Sequence, residues 1–176
     1  MTNPTAIPRA LVVYHDDQSW DRIETCCRLF HAGIGNSRFT FFAVKAESLS
    51  AARLDQGAYD LVILWLTREL VCDQAIMDWL DHWAERRSLD DGGTLTCFIE
   101  GDDPNWKLRL WELFTESIGA WRGIDFHCQR LTATETDFKV VENATRHLKA
   151  IQSSTPTTPQ SLTDSFSLTK VEIGEG

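Results

Sequence analysis

Polar side chains that could bind a ligand or move a proton stand at the ends of several apolar, strand-length runs of this sequence. They are His15, Asp16, Thr67, Glu100 and, near a fifth run, His127. Carboxylate and imidazole groups act as general acids and bases, and with hydroxyl groups they hydrogen-bond polar ligands. Trp106 adds an indole whose face could stack on a sugar ring. The sequence therefore predicts a site for a small polar ligand, and it identifies no catalytic residue.

The two histidines of this set leave two interpretations open. Together with Asp16 or Glu100, His15 and His127 offer the nitrogen and oxygen atoms that bind transition metals; alternatively, they share a polar pocket without metal. The spacings HxH and HxxxH, typical of metal sites, do not occur, so the pocket is favoured. The glycines at 33 and 35 follow a helix and lack the third glycine of a dinucleotide-binding loop. Neither a metal nor a cofactor is predicted.

The five cysteines are odd in number and form no CxxC pair. They are Cys26, Cys27, Cys72, Cys97 and Cys128. Four of them fall in predicted helices or strands, which favours reduced thiols in a cytoplasmic protein over a disulfide framework. Cys97 lies inside a predicted strand, whereas a nucleophilic cysteine needs a sharp turn at a strand end. We therefore expect Cys97 to be a core residue and the chain to lack glutaminase activity.

The charge balance excludes several classes of partner. The chain has 17 Lys and Arg residues against 26 Asp and Glu residues, which gives a net charge of −9. Nucleic acids and anionic membranes attract basic surfaces, so neither is a predicted partner. No apolar run approaches the roughly 18 residues of a membrane-spanning helix, and the polar segment 1–9 does not resemble a secretory signal. These features predict a cytoplasmic protein.

Strands and helices alternate along the chain and must position the polar candidates. Strands are predicted at 10–14, 39–44, 60–66, 94–99 and 124–131, and helices at 20–33, at 48–56, after Asp73 and after Asp103. The predicted apolar face of the last helix consists of Trp106, Leu110, Leu113, Phe114 and Ile118. Residues 138–151 fit either a strand followed by a helix or a helix alone.

This alternation indicates a parallel sheet with right-handed crossovers. The predicted fold is α/β, a flavodoxin-like, doubly wound three-layer sandwich with a mostly parallel sheet. The run 60–66 is apolar throughout, which predicts a central strand covered on both faces. In such folds, ligands bind beyond the C-terminal ends of the strands, where the polar candidates are expected.

One α/β domain is predicted for residues 1–151, because about 150 residues form one domain. Residues 152–176 begin with a segment rich in Ser, Thr and Pro, which predicts a linker. Residues 165–173 then alternate between polar and apolar types, which predicts a strand at a sheet edge. Such a strand pairs within its own chain or with a second copy, so a homodimer is also predicted.

Several segments of the sequence resemble the ThuA-like (trehalose utilisation) family, a branch of the class I glutamine amidotransferase-like fold. They are Tyr59-Asp-Leu-Val-Ile-Leu-Trp-Leu-Thr67, Leu70-Val-Cys-Asp-Gln-Ala75, Gly92-Gly-Thr-Leu95, Trp111-Glu-Leu113 and Phe126-His127. The family's His-Pro is His127-Cys128 here, and Glu100-Gly101 stands where the family has a His-Gly or His-Ala turn. The resemblance implies a role in carbohydrate metabolism and a carbohydrate as the polar ligand.

A receiver-like signalling domain is the alternative. The run Asp60-Leu-Val-Ile-Leu64 resembles the third strand of such domains. Trp65 stands where the phosphoacceptor aspartate would be, and Tyr14 and His15 stand where the acid pair would be. A chain of this kind would be a degenerate receiver that acts as a non-enzymatic protein-interaction or signalling module.

Overall fold

The computed structural model describes residues 7–33, 39–50, 52, 54–55, 58–87, 93–101, 106–132, 139–144, 146 and 166–171. The predicted helix cap at Asp103 and the predicted Ser/Thr/Pro linker lie outside these ranges. Within them, no helix has both the length and the apolar composition required to cross a membrane.

Six strands form one parallel sheet. They are β1 (Arg9–Tyr14), β2 (Thr40–Lys45), β3 (Leu61–Thr67), β4 (Thr94–Glu100), β5 (Asp125–Leu131) and β6 (Leu168–Lys170). Their order across the sheet is β5-β4-β3-β1-β2-β6, and every neighbouring pair is parallel. β3 lies between β1 and β4, and its first six residues are buried. The predicted central strand is therefore confirmed, and its apolar residues are explained by cover on both faces.

Helices cover both faces of this sheet. They are α1 (Trp20–Gly33), α2 (Gln74–Glu85) and α3 (Trp106–Arg122), and residues 139–144 are also helical. α1 and residues 139–144 pack on one face, together with the strand residues Ile63 and Phe98. α2 and α3 pack on the other face, together with Val62 and Cys97. The three layers confirm the predicted flavodoxin-like, doubly wound sandwich.

The chain between β2 and β3 differs from the prediction of a helix over 48–56. A 3-10 turn covers Ala46–Ser48, and the amide of Ala52 donates one helix-like hydrogen bond to the carbonyl of Ser48, at 2.8 Å. The other described residues up to Asp55 are not helical. Leu49 and Ala52 are nevertheless buried against the sheet. A helix of two turns is too short to be stable by itself, so tertiary packing decides the conformation here.

The buried face of α3 agrees only in part with the predicted one, since Ile118 is buried and Phe114 packs against the core, as predicted. Its buried residues are Leu108, Trp111, Thr115 and Ile118, whereas Leu110 and Leu113 are 50% and 46% exposed. Both sets recur at helical spacing, so the periodicity alone favours neither. The set that contains Trp111 faces the sheet, and this large side chain is fully buried between α3 and β4. The prediction that Leu110 and Leu113 belong to the core was wrong.

β6 extends the sheet beyond β2. The amide of Phe41 donates to the carbonyl of Ser167 at 3.3 Å, and the amide of Val171 donates to the carbonyl of Ala43 at 2.7 Å. The ring of Phe166 lies 5.8 Å from that of Phe41. These contacts pair and cover an edge of β2 that would otherwise expose its backbone groups.

Candidate functional site

A group of polar and aromatic side chains lies at the C-terminal edge of the sheet, on the side of α1. Alternate residues of a strand point to the same face. Tyr14, Trp65 and Phe98 belong to the apolar layer beneath α1. Glu100, two residues beyond Phe98, and Lys45, two residues beyond the buried Ala43, continue that face to the edge. We call the following residues the strand-end cluster: Asp17, Ser19, Trp20, Lys45, Trp65, Glu100 and Lys170.

Glu100 is held by donors from two elements. The indole nitrogen Nε1 of Trp65 donates to Oε1 of Glu100 at 2.8 Å. The hydroxyl of Ser19 donates to both carboxylate oxygens, at 3.1 and 3.2 Å. Ser19 immediately precedes α1, and the positive end of a helix dipole stabilises a nearby carboxylate. Glu100 is therefore a partly buried, oriented carboxylate with lone pairs left for further hydrogen bonds.

Asp16 caps the turn between β1 and α1. Its Oδ1 accepts hydrogen bonds from the amides of Gln18 at 2.9 Å and Ser19 at 3.2 Å. An aspartate in extended conformation before a helical turn is a preferred N-cap, because it satisfies amides that have no partner within the turn. Asp16 thus shapes the loop that presents Ser19 to Glu100. His15, the preceding residue, is exposed.

Asp17 links two lysines from different strands. Its carboxylate lies 2.6 Å from Nζ of Lys45 and 3.5 Å from Nζ of Lys170. The hydrogen bond from Lys45 holds the pKa of Asp17 below its ordinary value, and the same bond raises the pKa of Lys45. The ammonium of Lys170 also lies 3.8 Å from the ring centroid of Trp20, within the range of a cation–π interaction.

Thr67 lies beside Glu100, because the two residues are register partners on β3 and β4. Its hydroxyl oxygen is enclosed and has no hydrogen-bond partner among the described residues. Buried hydroxyl groups are normally paired. Thr67 is therefore a polar group next to Glu100 that still has the capacity to bind.

His127 does not join this group. It pairs with Thr96 in the middle of β4, whereas Glu100 pairs with Leu131. Four residues of strand separate His127 from the level of Glu100, or about 13 Å. Its Nε2 lies 3.5 Å from the side-chain oxygen of Gln129. Within the described ranges, no three His, Cys, Asp or Glu side chains are placed to hold a metal ion.

The remaining candidate, Trp106, begins α3, and its side chain lies outside the described part of the chain. Glu100 is the one cluster residue among the site candidates of the sequence analysis, and the structure adds Asp17, Ser19, Trp20, Lys45, Trp65 and Lys170. Lys45 ends β2, so the rule that ligands bind at strand ends could have selected it. No sequence signal brings Lys170 to the cluster, because its position depends on the pairing of β6 with β2.

A separate groove of about 610 Å³ lies on the other face of the sheet, between α2 and the segment that follows β2. The described residues that line it are Leu49, Ser50, Ala52, Leu54, Gln74, Ala75, Asp78, Trp79, His82 and Arg86. Its size is that of a ligand pocket. Its polar groups are largely paired with one another, since Gln74 donates to Asp78 at 2.6 Å and Nδ1 of His82 lies 2.6 Å from the carbonyl of Asp78. Of the predicted site residues whose side chains the structure describes, none lines this groove.

Comparisons with known proteins bear on the fold alone. No family model matches the sequence, and no curated protein matches it. Among solved structures, the chain is similar to oxidised flavodoxin 1 from Bacillus cereus, with 14% identity, a TM-score of 0.50 and coverage of 81% of this chain and 97% of that one. It is also similar to oxidised flavodoxin 2 from Bacillus cereus, with 16% identity, a TM-score of 0.51 and coverage of 81% and 99%. These likenesses show that the chain has a flavodoxin-like fold.

Proposed function

We propose that this chain binds a small polar ligand at the strand-end cluster, and that the ligand carries hydroxyl or ammonium groups. The observation that carries the proposal is the oriented carboxylate of Glu100, fixed by Trp65 and Ser19 beside the unpartnered hydroxyl of Thr67. The C-terminal ends of parallel strands are where α/β proteins of this kind bind their ligands. A carbohydrate is the ligand class that the ThuA-like resemblance implies.

The chemistry of the cluster suits such a ligand. A carboxylate accepts hydrogen bonds from hydroxyl or ammonium groups, and it has more acceptor sites than Trp65 and Ser19 occupy. Lys170 shows how an ammonium group binds in this cluster, because its own ammonium lies between the carboxylate of Asp17 and the ring of Trp20. Lys170 already occupies that position, so a primary amine from a ligand would pair with the carboxylate of Glu100 instead.

FMN does not fit this site. In flavodoxins it binds at the point where the strand order reverses, here at β1 and β3, and a phosphate typically binds free amides at a helix N-terminus. In this chain the amides of Gln18 and Ser19 already donate to Asp16. The carboxylate of Glu100 lies next to the same turn and repels a phosphate, whereas the charge of Asp17 is balanced by the ammonium groups of Lys45 and Lys170. The cluster therefore favours neutral or cationic ligands over phosphorylated ones.

Thermal unfolding with a ligand panel tests this proposal. The probes are glucose, trehalose, glucosamine and glycerol on one side, and FMN and inorganic phosphate on the other. A ligand at a hundred times its Kd stabilises the folded state by about 2.7 kcal/mol. We expect stabilisation by at least one probe of the first group and by none of the second.

Two variants connect the result to the site. Glu100→Gln keeps the shape of the side chain but removes its charge, and it should abolish the stabilisation by the ligand. Glu142→Gln is the matched control, because Glu142 is an exposed residue that pairs with Arg146 away from the cluster. The proposal is contradicted if no hydroxyl or amine probe stabilises the chain, or if Glu100→Gln responds like the wild type.

A second candidate function is a non-enzymatic interaction module, and an exposed apolar stripe on α3 favours it. Leu110, Leu113 and Trp121 are 50%, 46% and 79% exposed. With Ser117, they recur at intervals of three and four residues and so lie on one side of the helix. Monomeric proteins rarely expose a tryptophan within such a stripe, whereas interfaces are enriched in tryptophan.

The partner in this second proposal is another copy of the chain. If two α3 helices pack antiparallel, Leu110 faces the partner's Trp121, and Leu113 faces the partner's Ser117. Each of these contacts then occurs twice, as an interface with two-fold symmetry requires. Light scattering should give a dimer mass for the wild type and a monomer mass for Trp121→Ala. Ile7→Ala, which removes another exposed apolar side chain, should stay dimeric. A monomeric wild type rules this candidate out.

A further inference from the structure

Cys97 and Cys128 lie side by side on neighbouring strands. They are register partners on β4 and β5, and both pack in the apolar layer beneath α3. Neighbouring strands are about 4.8 Å apart, which falls within the Cα separations of about 4.4–6.8 Å that a disulfide spans. The two thiols are close enough to shift each other's pKa in opposite directions. The register therefore gives the two cysteines a main-chain spacing that a disulfide can bridge.

The two thiols differ in environment. Cys97 is fully buried, its Sγ accepts a hydrogen bond from the indole of Trp111 at 3.2 Å, and burial raises its pKa. Cys128 lies on the edge strand and is partly exposed. The neighbouring thiol of Cys97 lowers the pKa of Cys128, and the guanidinium of Arg130 acts in the same direction. A thiolate is the reactive form of cysteine, so Cys128 is the better nucleophile of the pair.

We propose that Cys97 and Cys128 form a redox-active dithiol that hydrogen peroxide oxidises to a disulfide. The Cys128 thiolate attacks one peroxide oxygen, the O–O bond breaks, and Cys128 becomes a sulfenic acid while hydroxide leaves and takes up a proton to become water. The sulfur of Cys97 then attacks that of Cys128, the S–O bond breaks, and the Cys97 proton leaves with the hydroxide as a second water. Both cysteines are oxidised by one electron each, and the peroxide is reduced by two.

The other three cysteines do not form such a pair. Cys26 and Cys27 are consecutive on α1, and consecutive residues of a helix do not face each other. Burial also raises the pKa of Cys27. Cys72 is partly exposed, but its thiol donates to the carbonyl of Lys107 at 3.3 Å, and burial raises its pKa. Cys72 is therefore a matched control, because it is partly exposed, as Cys128 is, but has no neighbouring thiol.

Mass spectrometry of the full chain tests the proposal. The reduced protein is treated with a small excess of hydrogen peroxide, quenched in acid, alkylated under denaturing conditions and mapped by peptides. We expect the intact mass to fall by two hydrogen atoms, the Cys97 and Cys128 peptides to be joined, and dithiothreitol to restore both thiols. The proposal is overturned if both cysteines are still alkylated after peroxide treatment, or if the disulfide joins another pair.

Three variants assign the roles of the two sulfurs. Cys97→Ser should stop at a sulfenic acid on Cys128, which dimedone traps, because the resolving thiol is gone. Cys128→Ser should form neither the disulfide nor a sulfenic acid at Cys97. Cys72→Ser should react like the wild type. Dimedone labelling of Cys97 in the Cys128→Ser variant would overturn the assignment. Because the mapping of the wild type needs no substitution, the proposal can be tested even if a variant fails to fold.

Discussion

The indole of Trp65 on β3 donates a 2.8 Å hydrogen bond to the carboxylate of Glu100 on β4. Trp65 is buried, so this bond crosses from the apolar layer of the domain to its polar edge. Ser19 adds a hydroxyl from the turn that precedes α1, so donors from two separate elements fix one carboxylate. A group held in this way is pre-organised for binding, because little side-chain entropy is lost when a ligand arrives.

Trp83→Phe should destabilise the fold by about 1–3 kcal/mol, the usual cost of a buried polar group without a partner. The indole of Trp83 donates to the carbonyl of Tyr59 at 3.1 Å inside the core. Phenylalanine fills most of the volume but leaves that carbonyl without its donor. Urea unfolding measures the change. Trp121→Phe, at an exposed position, should change stability by less than about 0.5 kcal/mol. Equal effects at the two positions would contradict this account of the core.

Gly119→Ala should destabilise the fold by about 1–3 kcal/mol through overpacking. A Cβ at this position would lie 2.8 Å from the carbonyl oxygen of Ile124, which is backbone and cannot move aside as a side chain could. Alanine has a higher helix propensity than glycine. Propensity alone therefore predicts a more stable variant, whereas overpacking predicts a less stable one. Ser117→Ala, at an exposed position of the same helix, is the control for propensity. A stabilised Gly119→Ala variant would mean that α3 and β5 pack less closely than described.

Asp17→Asn should lower stability at neutral pH, and the difference from the wild type should vanish in acid. Lys45 holds the folded-state pKa of Asp17 below its unfolded value, which is about 4. The stabilisation is therefore present above the unfolded pKa and is lost as the pH falls through the folded pKa. Urea unfolding at several pH values measures it. A difference that persists in strong acid would exclude the ion pair as its cause.

Deleting residues 164–176 should lower the melting temperature. The deletion removes β6 and the ring of Phe166, which packs against Phe41, His31 and the guanidinium of Arg28. A loss of about 2 kcal/mol corresponds to about 4–8 °C for a chain of this size. Phe166→Ala should produce part of the loss, whereas Ser167→Ala, at an exposed position, should produce little. An unchanged melting temperature for the deletion would mean that β6 contributes nothing to stability.

The sequence predicts the fold well because the fold depends on local patterns. Apolar runs separated by amphipathic helices require a covered parallel sheet, and β3 has the unbroken apolar run of a central strand. α3 is an element whose buried face such local patterns do not predict. It carries two apolar stripes, and only packing against β4 decides that Trp111 is buried while Leu110 is exposed.

The candidate site could be predicted only where it follows strand ends. Glu100 and Thr67 could be selected as candidates because each closes an apolar run, and their role in binding stays a prediction. His127 was placed too close to the site, because the register of β5 against β4 determines its level and the sequence does not contain that register. For the same reason, the positions of Lys170 and of the pair Cys97 and Cys128 could not be predicted, because they depend on which strands pair and in which register. Long-range pairing, rather than local propensity, determines these positions.

The most direct test of the ligand site is the indole NMR signal of Trp65, because this N–H group donates to Glu100 itself. Signals from ¹⁵N-labelled protein are assigned with Trp65→Phe and Trp121→Phe, and the protein is titrated with glucose, trehalose, glucosamine and glycerol. The account predicts that at least one of these probes shifts the Trp65 indole signal in a saturable way while that of Trp121, on α3, stays in place. A Trp65 signal that none of the four probes moves would contradict the proposal that the strand-end cluster binds a small polar ligand.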